Sequence, residues 1–178
     1  MVYQARDWAH GVLLGAGMAS ETTAAATGDV GVVRRDPMAM KPFAGYNFAD
    51  YWAHWLSMDR RVKKLPGIFH VNWFRRDAKG KFLWPGYGEN LRVLAWIIDR
   101  CQGKAPALDT PIGAVPKRDS LDFTGLDIEA ATIDELLAVD RAAWGREAAD
   151  IAKYLESYGD RLPAALRDEV TKLKARLA

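Results

Sequence analysis

The stretch Phe69–Asn90, FHVNWFRRDAKGKFLWPGYGEN, decides how this chain is read. It reads as a strand, a turn, a returning strand and a glycine loop that runs into a helical pattern. A strand over Ile68–Phe74 would send Phe69, Val71 and Trp73 to one face and His70, Asn72 and Phe74 to the other. Asp77-Ala78-Lys79-Gly80 suits a hairpin turn, and the returning strand would carry Phe82 and Trp84 on one face before Pro85 ends it. Two readings fit this pattern. Aromatic side chains beside a tight glycine loop could hold a flat, uncharged ring, or they could be an ordinary hairpin core. Trp73 and Phe74, Phe82 and Trp84, and then Tyr87 place aromatics on both faces, and a one-sided core explains only one. Gly86 and Gly88, on either side of Tyr87, would let backbone approach a ligand. Asn90 could read a base edge with its donor and its acceptor, while by residue type it is also a good helix N-cap. Stacking stabilises a base by about 1–3 kcal/mol without choosing among bases, so hydrogen bonds would have to choose.

Working outward, Leu91, Leu94, Ala95 and Ile98 form the apolar stripe of the following helix, and Gly103 stops it. Lys104–Gly125 reads as irregular chain, with Pro106, Pro111 and Pro116. The last third is helical. Ile133, Leu136 and Leu137 mark a short helix, Trp144, Ala148, Ile151 and Leu155 a longer one, and Leu166, Val170, Leu173 and Leu177 the last, from Pro163. Before the central stretch, Phe48, Trp52 and Trp55 stripe a helix with Asn47 as its N-cap. Pro37 and Pro42 exclude regular helix over Asp36–Gly45. Val2–Ala5, Gly11–Leu14 and Val30–Val33 read as short strands. Between them, Gly15–Asp29 is a small-residue segment bracketed by glycines, which reads as a mobile lid or an exposed connector.

With 178 residues, one domain able to bury a core is the expectation. Hydrophobic residues at 49% and charged residues at 27% give a globular composition, and a net charge of +2 implies no general affinity for polyanions. Most of the seven tryptophans must sit in a core or line a cleft. The lone Cys101 falls in a helical pattern, is expected to be buried or half-buried, and excludes an intrachain disulfide. Gly11–Ala19 is too short, and too rich in glycine, for a signal peptide or membrane span, so a soluble, cytoplasmic protein is expected. His10, His54 and His70 lack metal-ligand spacing, and no G-x-x-x-x-G-K-[ST] motif is present to cradle phosphates.

The central stretch strongly resembles the nucleotide-base segment of GTP-dependent phosphoenolpyruvate carboxykinase. SETTAAATG at Ser20–Gly28 is similar to that family's lid loop, and DPMAMKPFAGYNFADYWAHWLSM at Asp36–Met58, TPIGAVPK at Thr110–Lys117 and the helical tail also resemble it. The resemblance covers essentially the whole chain. It implies a mixed α/β fold, the C-terminal nucleotide-binding lobe of such an enzyme, with strands and a hairpin first and helices last. It also implies one partial domain over 1–178, with a lid loop at 15–29, a base-binding hairpin and loop at 67–90 and a helical tail at 132–178.

The implied reaction, part of gluconeogenesis, converts oxaloacetate and GTP into phosphoenolpyruvate, CO₂ and GDP, with Mn²⁺ and a Mg²⁺–nucleotide. The resemblance implies that guanine lies between Phe74 and Tyr87, with Phe82 closing the pocket, Trp73 beside it, Gly86-Tyr87-Gly88-Glu89-Asn90 as the loop and Asn90 on the guanine edge. The lid is implied to be Ser20, Glu21, Thr22, Thr23, Ala24, Ala25, Ala26, Thr27 and Gly28, and its closure would keep water from a reactive enolate. The metal ligands, the phosphate loop and the catalytic residues are implied to lie in a missing N-terminal part, so no catalytic or metal residue is assigned in this chain. The complete enzyme would be a monomer acting on small molecules, without membrane or nucleic-acid partners, and the isolated chain would be inactive. A non-catalytic nucleotide- or single-stranded-RNA-binding module, using Arg75, Arg76, Lys79 and Lys81, is the alternative.

Overall fold

The computed structural model describes residues 1–21 and 32–178. The fold is mixed α/β with antiparallel sheets and a helical C-terminal part. The chain divides into two compact units, Met1–Arg6 with Gly67–Asp140, and Asp7–Pro66 with Arg141–Ala178.

The first unit is built on a four-stranded sheet of order β4-β1-β6-β5. Its strands are β1 (Val2–Gln4), β4 (Phe69–Val71), β5 (Ala107–Thr110) and β6 (Gly113–Pro116). Strand β1 pairs antiparallel with β4, Val2 opposite Val71, and with β6 through Gln4 and Ala114. Helices α3 (Asn90–Cys101) and α4 (Ala130–Leu137) complete the unit. Its core holds Val2, Leu83, Trp84, Val93, Trp96 and Leu136, with Phe69, Val71 and Trp73 packed against them.

Four sequence expectations change here. The chain from Lys104 is not irregular throughout, because β5 and β6 form a hairpin whose strands are joined by Pro111-Ile112. Proline fixes φ near −65°, so this loop carries none of the Asn-Gly or Asp-Gly chemistry by which such hairpins are recognised. Strand β4 stops at Val71 rather than Phe74 because the Asn72 side chain accepts a hydrogen bond from the Phe74 amide at 2.9 Å and turns the backbone. The stripe Leu91, Leu94, Ala95 and Ile98 faces outward, and α3 buries Val93 and Trp96 instead. The helix carries apolar residues around most of its circumference, so its sequence does not say which side the sheet takes. Cys101, at the end of this helix, is exposed.

The Met1 nitrogen donates to the Leu136 carbonyl at 2.9 Å, which ties the start of β1 to α4.

The second unit packs α1 (Trp8–Ala16), α2 (Phe48–Ser57), α5 (Arg141–Glu156) and α6 (Ala164–Leu177) around Leu13, Trp52, Leu155 and Leu166. Gly11–Leu14 is helix, not strand. Asp7 caps it by accepting from the His10 amide at 2.8 Å, and Val12, Leu13 and Ala16 form its buried side. Asn47 caps α2 as its residue type suggests, accepting from the Ala49 amide at 2.9 Å. Leu166, Val170, Leu173 and Leu177 are all buried along α6, matching the expected stripe. Strands β2 (Ala19–Glu21) and β3 (Val33–Arg35) pair antiparallel, with Ser20 opposite Arg34. Arg35 ties β3 to α5 and to the end of α1, donating to Glu147 at 2.7 Å, to Asp150 at 3.0 Å and to the Gly17 carbonyl at 2.7 Å. Of the expected lid, Thr22–Gly28 lies outside the described residues, while Ser20 and Glu21 belong to β2.

Candidate functional site: the exposed aromatics of Phe74–Asn90

The turn at Asp77–Gly80 forms as its residues suggest. The Asp77 carboxylate accepts from the amides of Lys79 and Lys81 at 2.8 and 2.9 Å, and the Gly80 amide donates to the Asp77 carbonyl at 3.0 Å. Beyond the turn only one bridge forms, between Arg76 and Phe82. No returning strand is built among the described residues, so Phe82 and Trp84 do not share a face.

The aromatics separate into two groups. Trp73 and Trp84 turn inward, their ring centroids 6.1 Å apart, and pack in the core of the first unit. Phe74, Phe82 and Tyr87 turn outward, being 71%, 45% and 92% exposed, while Trp84 is 3% exposed. Phe74 and Phe82 meet edge to face, with centroids 6.1 Å apart. The Arg76 guanidinium covers one face of Phe82, 4.2 Å from its centroid. Tyr87 has no ring contact with either phenylalanine among the described residues. A cleft of about 580 Å³ is lined by Phe82 with Lys79, Lys81, Asp127 and Glu129 among others, and neither Phe74, Tyr87 nor Asn90 lines it.

Tyr87–Glu89 forms a single 3-10 turn that feeds directly into α3. Gly86, just before it, has φ of +126°, a conformation that side chains resist. Gly88 has open space where a Cβ would stand. Asn90 is the first residue of α3 rather than its N-cap, and the capping position falls to Glu89 without a side-chain cap bond. Its side chain is engaged differently, since the Trp84 indole N–H donates to Asn90 Oδ1 at 2.9 Å. Glu89 is held by Arg92 at 2.6 Å, and Arg92 also donates to the carbonyls of Asp122 and Thr124 at 2.9 and 3.0 Å. These bonds fasten the start of α3 to the loop after β6. The amide and side chain of Thr124 hold the Asp122 carboxyl below its usual range, with a smaller contribution from Arg92. Sequence reasoning missed Trp84 and Arg92 as supports of the loop. A contact between residues six apart, across a proline and two glycines, leaves no periodic signal.

Among the described residues no group of three or more His, Cys, Asp or Glu side chains is placed to hold a metal ion, so the residues described do not fit the Mn²⁺ implied by the resemblance. No helix among them is long and apolar enough to cross a membrane.

The family model described as the phosphoenolpyruvate carboxykinase C-terminal P-loop domain matches residues 1–176. The chain belongs to this family. It is 52% identical, over its full length, to the phosphoenolpyruvate carboxykinase [GTP] of Arthrobacter sp. strain FB24 and covers 30% of that protein. It is 51% identical to the enzyme of that name from Paenarthrobacter aurescens and 52% identical to the one from Treponema pallidum, with 99% of the chain and 29% of each relative covered. The chain therefore spans about a third of the length of these carboxykinases and corresponds to their C-terminal part.

Proposed function

We propose that this chain provides the guanine grip of a GTP-dependent phosphoenolpyruvate carboxykinase, a carboxy-lyase that forms phosphoenolpyruvate, GDP and CO₂ from oxaloacetate and GTP. The observation that carries this reading is the outward pair Phe74 and Phe82, in the same short stretch of chain as the Trp84–Asn90 hydrogen bond. Aromatic rings left in water suit a stacked purine better than a core. In this reading Phe74 and Tyr87 offer the stacking faces, Phe82 closes one side, Trp73 and Trp84 brace the hairpin from within, and Asn90 meets the base edge. Gly86, Gly88 and Glu89 shape the loop, with Glu89 acting through Arg92.

Ser20–Gly28 is proposed as the cover over the reacting groups of the longer enzyme. The paired strands β2 and β3, and the Arg35 bonds to α5, give that segment a fixed base. Chemistry in the longer enzyme would decarboxylate oxaloacetate to an enolate, which attacks the γ-phosphorus of GTP while GDP leaves. This chain's contribution to such a step is positioning, on which phosphoryl transfer chiefly depends.

The purified chain should bind GDP in preference to ADP and should form no phosphoenolpyruvate from oxaloacetate and GTP. Turnover by the chain alone would contradict the second statement, and equal or absent binding of the two nucleotides would contradict the first. Tight, salt-sensitive oligonucleotide binding would instead favour a single-strand module. Arg75 and Arg76 speak against that outcome, because Arg75 donates to the Ala138 carbonyl at 3.2 Å and Arg76 lies over Phe82.

A further inference from the structure

We infer that Trp84 is a positioning residue for base selectivity: its indole N–H fixes the Asn90 amide so that the nitrogen, and not the oxygen, is presented to the base, which selects a purine carrying an oxo group over one carrying an amino group at that edge. The inference rests on the base-binding reading of the Phe74–Asn90 region.

The chemistry follows from the hydrogen bond itself. An indole N–H can only donate, so the Asn90 atom it meets at 2.9 Å must be the carbonyl oxygen. That assignment does not depend on telling amide oxygen from nitrogen by shape. The Asn90 nitrogen then lies at the opposite corner of the amide, with no hydrogen-bond partner among the described residues. Trp84 is 3% exposed and its ring is held by Trp73 and the core, so the donor is fixed before any ligand arrives. Asn90 begins α3, whose first turn is tied down through Arg92 to the Asp122 and Thr124 carbonyls. The amide therefore cannot turn over without leaving the buried indole N–H unpaired, a cost that holds one orientation. A fixed N–H₂ complements the 6-oxo group of guanine and opposes the 6-amino group of adenine. Stacking on Phe74 is indifferent to that difference. Selectivity would thus be set by a tryptophan that never touches the base.

The test is calorimetric titration of the purified chain with GDP and with ADP. Asn90→Asp keeps an acceptor for Trp84 but presents an oxygen outward, and its GDP-over-ADP preference should vanish or invert. Trp84→Phe keeps the ring but frees the amide to turn, and the preference should fall about fivefold to tenfold, the worth of one oriented hydrogen bond. Its unfolding curve is recorded alongside. If Trp84→Phe does not fold, Asn90→Asp decides alone. An unchanged nucleotide ratio in folded Trp84→Phe, or in Asn90→Asp, overturns the inference. Phe74→Ala separates this from failure of the site itself. If it weakens both nucleotides while the Asn90 and Trp84 variants keep the ratio, only the selectivity role is lost. If it weakens neither, or if the unaltered chain binds neither, the base site falls and the inference with it.

Discussion

Replacing Gly113 with alanine is expected to lower the stability of the first unit by at least about 3 kcal/mol, among the larger effects of a single substitution. Two separate penalties meet at this residue. Its φ is +132°, outside the regions that side chains tolerate, and such a conformation costs about 1–3 kcal/mol for a residue other than glycine. A Cβ there would also stand 2.4 Å from the Gln4 carbonyl oxygen and 3.1 Å from the Tyr3 ring. Neither neighbour is a free side-chain end. Gln4 pairs with Ala114 to join β1 to β6, and its side chain accepts from Arg100 at 2.8 Å. Relief would therefore require β1 and β6, the central strands of a four-stranded sheet, to move apart. Urea unfolding followed by tryptophan fluorescence reads the change. A loss below about 1 kcal/mol would mean that the strands separate easily and that the sheet does not hold this unit together.

Truncating Phe74 to alanine is expected to weaken GDP binding by about 5-fold to 150-fold, which is 1–3 kcal/mol of stacking. The melting temperature should barely change, because Phe74 is 71% exposed and, among the rings of the described residues, touches only Phe82. Tyr87→Ala should do the same, whereas Tyr87→Phe should bind as before, since the ring is kept and its hydroxyl has no partner among the described residues. This combination, affinity lost at constant stability, separates a ligand face from a core. Loss of stability with affinity unchanged in Phe74→Ala would return the stretch to the hairpin-core reading.

Much of the helical architecture was legible in advance. Helices α2, α5 and α6 carry apolar residues at a period that only one face can satisfy, and Asn47 and Pro163 mark where two of them begin. Gly11–Leu14 misled because a continuous apolar run fits a strand as well as a buried helix, and Asp7 decides only if its side chain is seen to cap. The outward stripe on α3 failed for a related reason. Leu91, Leu94 and Ile98 are as apolar as Val93 and Trp96, and nothing local ranks the two faces. At the candidate site the residue types were legible and their sides were not. Trp73 and Phe74 are neighbours, as are Phe82 and Leu83, yet one of each pair is packed inside and the other lies in water.

The sequence by itself determined the family, the mixed α/β class, the helical tail and the aromatic, glycine and asparagine chemistry gathered in Phe69–Asn90. Motifs that long survive as strings, and periodicity is a local property. Only the tertiary structure decided that Trp73 and Trp84 brace from within while Phe74, Phe82 and Tyr87 are left in water, and that Trp84 fixes the Asn90 amide. Those outcomes depend on an Asx turn at Asn72, on a hairpin that makes a single bridge, and on the placement of β1 against β4 and β6. Each joins groups through space, and a side chain's neighbours across a fold are not written in its neighbours along the chain.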